Sequence, residues 1–191
     1  MNRETEDFFS FVTSMKSLAQ SVRREIHLEE VPAPQKLAPH AYAIAADVAT
    51  DIDDDESDIA TGRFVILHDP QGQEAWDGHF RCVTFIRSAI DDEMQGDPLL
   101  PEVGWSWFIE SLDKCGAEYT SPSGTVTRVS SASFGQLSTT EETSEIEIRA
   151  SWTPKSSHDL INHAQAWIDL LAIVSGLNPI PEGVRSLPTR R

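Results

Sequence analysis

Between Asp97 and Phe134 the spacing of apolar residues changes, and that change constrains the fold more than any other feature of the chain. The segment opens Asp97-Pro98-Leu99-Leu100-Pro101, continues through Trp105, Phe108, Ile109 and Leu112, and stops at Gly116. It then becomes Gly124-Thr125-Val126-Thr127-Arg128-Val129. Three- and four-residue steps give way to alternation, so a helix feeds a strand. Asp97 is placed to cap a first turn with Pro98 at its first position, and Glu102 to Cys115 reads as the more secure helix. No residue here or elsewhere falls into a recognised reaction motif.

The rest of the chain follows the same grammar. Phe8, Phe11, Val12, Met15, Leu18, Ala19 and Val22 form one stripe, which predicts an amphipathic helix from Thr5 to Glu25. Pro32, Pro34 and Pro39 keep the next segment extended. Strands are expected at Ala41–Val48, Gly62–His68, Gly78–Arg87, Thr125–Ser131 and Glu145–Trp152. Asp69-Pro70-Gln71-Gly72 reads as a turn, and the short loop it opens implies an antiparallel pair. A last helix, capped by Ser156 or Ser157, carries Leu160, Ile161, Ala164, Trp167, Ile168, Leu171 and Val174 to Gly176. The order α-β-β-β-α-β-β-α predicts a two-layer α+β domain over 1–191. Helices cover one face of an antiparallel sheet of about five strands, and 179–191 forms a surface tail.

Charge narrows the partners. The chain has 191 residues and a formal charge of −16, from 31 acids against 15 Lys and Arg. Such a surplus repels phosphate backbones and anionic bilayers, so neither nucleic acid nor a membrane is expected, whereas a basic or extended protein partner suits it. Two cysteines, Cys82 and Cys115, make no disulfide framework and no metal knuckle, and both read as small packing groups. The start Met1-Asn2-Arg3-Glu4 lacks a signal pattern, and no apolar run is long enough to span a bilayer. A soluble cytoplasmic protein is the expectation.

Candidate sites are few. Asp51, Asp53 and Asp55 have the spacing of a calcium loop, but Glu56 stands where that loop needs Gly and Gly62 where it needs Glu. The run therefore reads as a solvated loop, and neither metal nor cofactor is expected. His68 and His79 can neighbour each other across a hairpin, with Asp69, Glu74 and Asp77 near, as a ligand or acid–base site or as a plain polar hairpin end. Arg81, Arg87, Arg128 and Arg149 lie on strands and mark the wet face of the sheet, as cross-strand ion pairs or as a surface for a partner or anionic ligand. Arg128 and Arg149 in particular should share that face, each near a carboxylate. Among five tryptophans, Trp152 and Trp167 read as core, Trp105 and Trp107 point in different directions so that one can be exposed, and Trp76 sits in a loop; packing is the first expectation for each, an interface the second.

Several runs carry a resemblance. They include Leu28 to Gln35, Ala60 to Phe64, His68-Asp69-Pro70, Gly72 to Trp76, Phe80 to Thr84, Val103 to Trp107, Pro122 to Ser131 and Ile148 to Pro154. Together they resemble an actinobacterial family, domain of unknown function 3000, over nearly the whole chain after the first helix. The resemblance implies a bacterial cytoplasmic protein and brings no catalytic residue with it. The element order alone is similar to type III secretion chaperones, which are small acidic dimers that hold a partner peptide.

The functional expectation is a non-catalytic protein-binding module of a chaperone-like kind, as a homodimer, with His68, Trp76, His79, Arg81, Trp105, Arg128 and Arg149 as binding residues. The alternative is a small-molecule site or enzyme at the His68–His79 hairpin.

Overall fold

The computed structural model describes residues 3–49, 58–137 and 143–179. Helix α1 spans Arg3–Ala19, followed by strands β1 (Ile26–Val31), β2 (His40–Ala49), β3 (Asp58–Gln73) and β4 (Gly78–Ala89). A short helix α2 (Asp92–Gln95) leads into α3 (Leu100–Lys114), then β5 (Tyr119–Ser131), β6 (Thr143–Pro154) and α4 (Leu160–Val174). The strands form one antiparallel sheet in the order β1-β2-β3-β4-β6-β5. The fold is α+β, in two layers, as the periodicity implies.

Several boundaries differ from the sequence reading. Strand β3 runs from Asp58 to Gln73 rather than Gly62 to His68, so the β3–β4 turn falls at Glu74–Asp77 rather than Asp69–Gly72. Helix α1 stops at Ala19 rather than Glu25, and the residues after it turn into β1, a sixth strand paired with β2 from Ile26↔Val48 to Val31↔Ala43. Strand β5 begins at Tyr119 rather than Thr125, with a bulge between Thr120 and Ser123 that lets Pro122 lie within it. Helix α4 starts beyond Asp159, and neither serine caps it. Ser156 Oγ accepts from the His158 N–H at 3.1 Å, while Ser157 Oγ donates to Asp7 at 2.6 Å, tying the chain before α4 to α1. Most of the acidic loop (50–57) and the tail from 180 lie outside the described residues.

The C-terminal ends of α3 and α4 follow the sequence closely. Asp97 Oδ1 accepts the Leu99 N–H at 2.8 Å, fixing the turn that enters α3. Gly116 and Gly176 take left-handed φ values of 64° and 66°. The next residue of each returns to the last turn, Ala117 N–H to Leu112 O and Leu177 N–H to Ala172 O, both at 3.0 Å.

The core lies between the helices and one sheet face. Phe64, Ile66, Cys82, Ile86, Ile146, Ile148 and Trp152 rise from the strands to meet Phe8, Phe11 and Met15 of α1, Phe108 and Leu112 of α3, and Trp167 and Leu171 of α4. Trp152 and Trp167 are buried, as their stripes predict; Trp105 and Trp107 are both half-buried against the core, so neither is an exposed anchor. Cys82 is buried mid-strand and Cys115 half-buried at the end of α3, and burial pushes both thiols up, Cys115 to about 11. No described helix is long and apolar enough to cross a membrane.

Candidate binding face

Alternation puts the opposite set of side chains on the uncovered face of the sheet. The register aligns Ala45, Arg63, Phe85, Arg149 and Thr125 in one row, and Ala43, Val65, Val83, Ser151 and Ser123 in the next. Arg63, Val65, Val83, Phe85, Arg149 and Ser151 help to line a depression of about 480 Å³. Its floor is apolar, and Val83 remains 37 % exposed in it.

Arginines border the floor. Arg149 stacks over Phe85 with its guanidinium carbon 5.0 Å from the ring centroid, and its Nη2 meets Glu147 at 2.8 Å. Arg87 pairs with Glu145 through Nε and Nη2. The Arg63 side chain is exposed, and neither a hydrogen bond nor an ion pair engages it with another described residue. Its backbone lies in the ladders to β2 and β4, and its carbonyl also accepts from Thr84 Oγ1 at 2.9 Å.

Arg81 lies beside the depression and is built into the sheet. Its Nη1 donates to Ser121 O and Thr153 Oγ1, both at 3.0 Å, and its Nη2 to Ser151 Oγ at 2.6 Å and Ser123 Oγ at 3.2 Å. Burial lowers its pKa. Ser121 has a left-handed φ of 50°, so the guanidinium secures the strained residue of the β5 bulge. Thr153 in turn donates to the Trp76 carbonyl at 2.5 Å. Trp76 and Arg81 are thus joined through a threonine, as structure of the β3–β4 end rather than as free binding groups.

Arg128 is not on this face. It is paired with Ile146, which is wholly buried on the helix side, and its Nη1 donates to the carbonyls of Gln95 and Asp97 at 3.0 and 2.9 Å. Arg128 is exposed on the inner side, where its guanidinium reaches the carbonyls at the end of α2. The expectation that Arg128 shares the open face with Arg149, beside a carboxylate, is corrected on both counts.

The two hairpin histidines separate into different environments. His68 is fully buried, its ring stacked on Phe80 with centroids 4.3 Å apart. Its Nδ1–H donates to the His79 carbonyl at 3.2 Å and its Nε2 accepts from Thr5 at 3.1 Å. Burial lowers its pKa, so it stays neutral with both nitrogens occupied. His79 is half-buried, pairs with Glu4 of α1 at 2.5 Å, and lines a polar depression of about 310 Å³ with Asp77, Lys155 and Ser157. The structure joins His68 to the backbone carbonyl of His79, and the imidazole stacked on His68 is that of His40, with centroids 5.5 Å apart. Among the described residues no group of three His, Cys, Asp or Glu is placed to hold a metal.

Arg63, Val65, Val83 and Phe85 were not singled out by the sequence reading. Their signal is apolar residues on both faces of β3 and β4: Val65 and Leu67 alternate with Phe64 and Ile66, and Val83 and Phe85 with Cys82 and Ile86.

The geometry defines a two-layer α+β protein whose open sheet face carries an arginine-bordered apolar floor. The chain belongs to the family described as protein of unknown function (DUF3000), whose model matches residues 4–185. No curated protein and no solved structure matches it.

Proposed function

We propose that this is a cytoplasmic, non-catalytic protein-binding module whose open sheet face receives an extended partner segment carrying carboxylates around an aliphatic side chain. One observation carries the reading. In a chain of charge −16, four of the 15 Lys and Arg side chains (Arg63, Arg81, Arg87 and Arg149) gather on or beside one exposed apolar floor. Glu145 and Glu147 answer Arg87 and Arg149, and four acceptors on β5 and β6 hold Arg81, which leaves the Arg63 side chain as the unengaged cation at the floor. Overall charge favours a basic partner, but contact energy is decided within a few ångströms, where screening is weakest, and there the sign is reversed. An extended segment suits the site because the depression is open to solvent and spans β3, β4, β6 and β5, whereas small-molecule pockets enclose most of their ligand.

Selection from a displayed random-peptide library tests the proposal. The wild-type chain should enrich Asp and Glu flanking Leu, Ile or Val, and the double variant Arg63→Ser/Arg149→Ser should lose that enrichment while staying folded, with a melting temperature lowered by no more than about 5 °C. Enrichment of Lys- and Arg-rich peptides, unchanged in the variant, would overturn it.

The His79–Glu4 pair favours a second reading, acid–base chemistry in the polar depression. It requires that His79→Ala abolish an activity found by substrate screening; an activity that survives this change would count against it.

A further inference from the structure

The two edges of the sheet are protected very differently. Strand β1 is six residues long, carries Glu29 and Glu30, and runs into Pro32, all features that discourage another strand from pairing. Strand β5 is 13 residues long and contains no Asp or Glu. Pro122 and the bulge protect only its first part. From Gly124 to Ser131 its one charge is Arg128, whose guanidinium is turned inward onto Gln95 and Asp97. Gln95 also donates to Ser130 Oγ at 3.2 Å, from the same inner side. Among the described residues β5 has no strand beyond it, so half of its backbone N–H and C=O groups face outward along an uncharged edge.

We infer that this edge pairs with a second copy of the chain, β5 against β5 antiparallel about Thr127, to give one continuous sheet. Two molecules of charge −16 repel, and β5 is the edge that brings no further acid into contact. Centring on Thr127 sets Thr125 opposite Val129 of the second copy on the open face, and Val126 opposite Arg128 on the other. β-Branched pairs then meet, and no like charges stand directly opposite. Centring one residue further on would set Arg128 against itself. The pairing also completes the depression, whose lining includes Ser123, Gly124 and Thr125 at the free edge. The second copy's β5 supplies the outer wall there and makes the two open faces continuous. The inference goes beyond the peptide-binding reading, and its test involves no peptide, so either can fail alone.

Sedimentation equilibrium of the full chain across the micromolar range, with Thr127→Lys and Thr127→Glu, tests it. Wild type should have the mass of a dimer. Each variant should have that of a monomer with unchanged circular dichroism, and an equimolar mixture of the two should recover the dimer. A monomeric wild type, variants that stay dimeric, or folded variants that do not recombine would overturn it. A monomeric wild type would leave the edge to a strand from another protein. If a variant fails to fold, hydrogen exchange of the wild type decides: residues 124–131 should gain protection as concentration rises, and concentration-independent exchange would contradict the pairing.

Discussion

Trp152 on β6 donates its indole Nε1–H to Nδ1 of His163 on α4 at 2.9 Å, joining sheet to helix through two side chains that are both buried. The bond requires an unprotonated Nδ1, so the imidazole must be neutral and carry its proton on Nε2, an atom left without a partner among the described residues. Burial depresses its pKa to about 4.

Stability should therefore depend on pH below neutrality. A histidine with a depressed folded pKa stabilises fully above its unfolded value, near 6.5, and the stabilisation is lost as pH falls towards about 4. Below neutrality the unfolded chain binds a proton that the folded chain refuses. The loss is on the order of 3 kcal/mol once both states titrate. Urea titrations from pH 7 to pH 4 should show this fall, and His163→Gln should flatten it at some cost in stability at pH 7.

Gly124 tolerates no side chain. A Cβ there would lie 2.2 Å from the Arg149 carbonyl oxygen and 2.9 Å from both Ala150 Cα and the Trp105 ring, and the first two are backbone. Gly124→Ala should destabilise the protein by about 1–3 kcal/mol, the range for overpacking. Gly96→Ala, with nothing within 4 Å, should change the denaturation midpoint little.

Arg149 is held by two modest contacts, Phe85 and Glu147, at a side chain 55 % exposed. Arg149→Ala should cost about 1 kcal/mol in thermal or chemical unfolding, since exposed ion pairs and cation–π contacts each contribute little. A loss above roughly 3 kcal/mol would mean that the residue carries the fold rather than the face.

Arg128→Ala should loosen α2 without touching the peptide site, because its bonds go to Gln95 and Asp97 on the inner side. Hydrogen exchange at Met94 to Asp97 should quicken, at an expected stability cost of about 1–3 kcal/mol for bonds made by a charged donor. Peptide affinity should stay as in wild type.

Layer architecture and most elements were legible because periodicity and breakers act locally. Gly116 and Gly176 end α3 and α4 where the sequence puts them. What was not legible depends on neighbours. Strand β1 alternates only from Ile26 to Glu29, too short a run to separate from the end of α1, and it is fixed by pairing with the edge of β2. The face of Arg128 was recoverable from parity, since Val126, two residues earlier, also turns inward, but Val129 blurs that alternation. The floor of the open face is assembled from β3 and β4, each apolar on both sides, and only pairing reveals that Arg63 and Arg149 bracket it. His68 reads as reactive in sequence and is made inert by burial under α1, at a contact 63 residues away in the chain.

The open face is tested most directly by NMR titration of the full chain with acetyl-Asp-Leu-Glu-Leu-Asp-amide, using acetyl-Lys-Leu-Lys-Leu-Lys-amide as the comparison. The acidic peptide should shift the amides of Arg63, Val65, Val83, Phe85, Arg149 and Ser151, leave α1 and α4 unmoved, and lose its effect in Arg63→Glu. Shifts confined to the helix layer, or binding of the lysine peptide alone, would contradict the account.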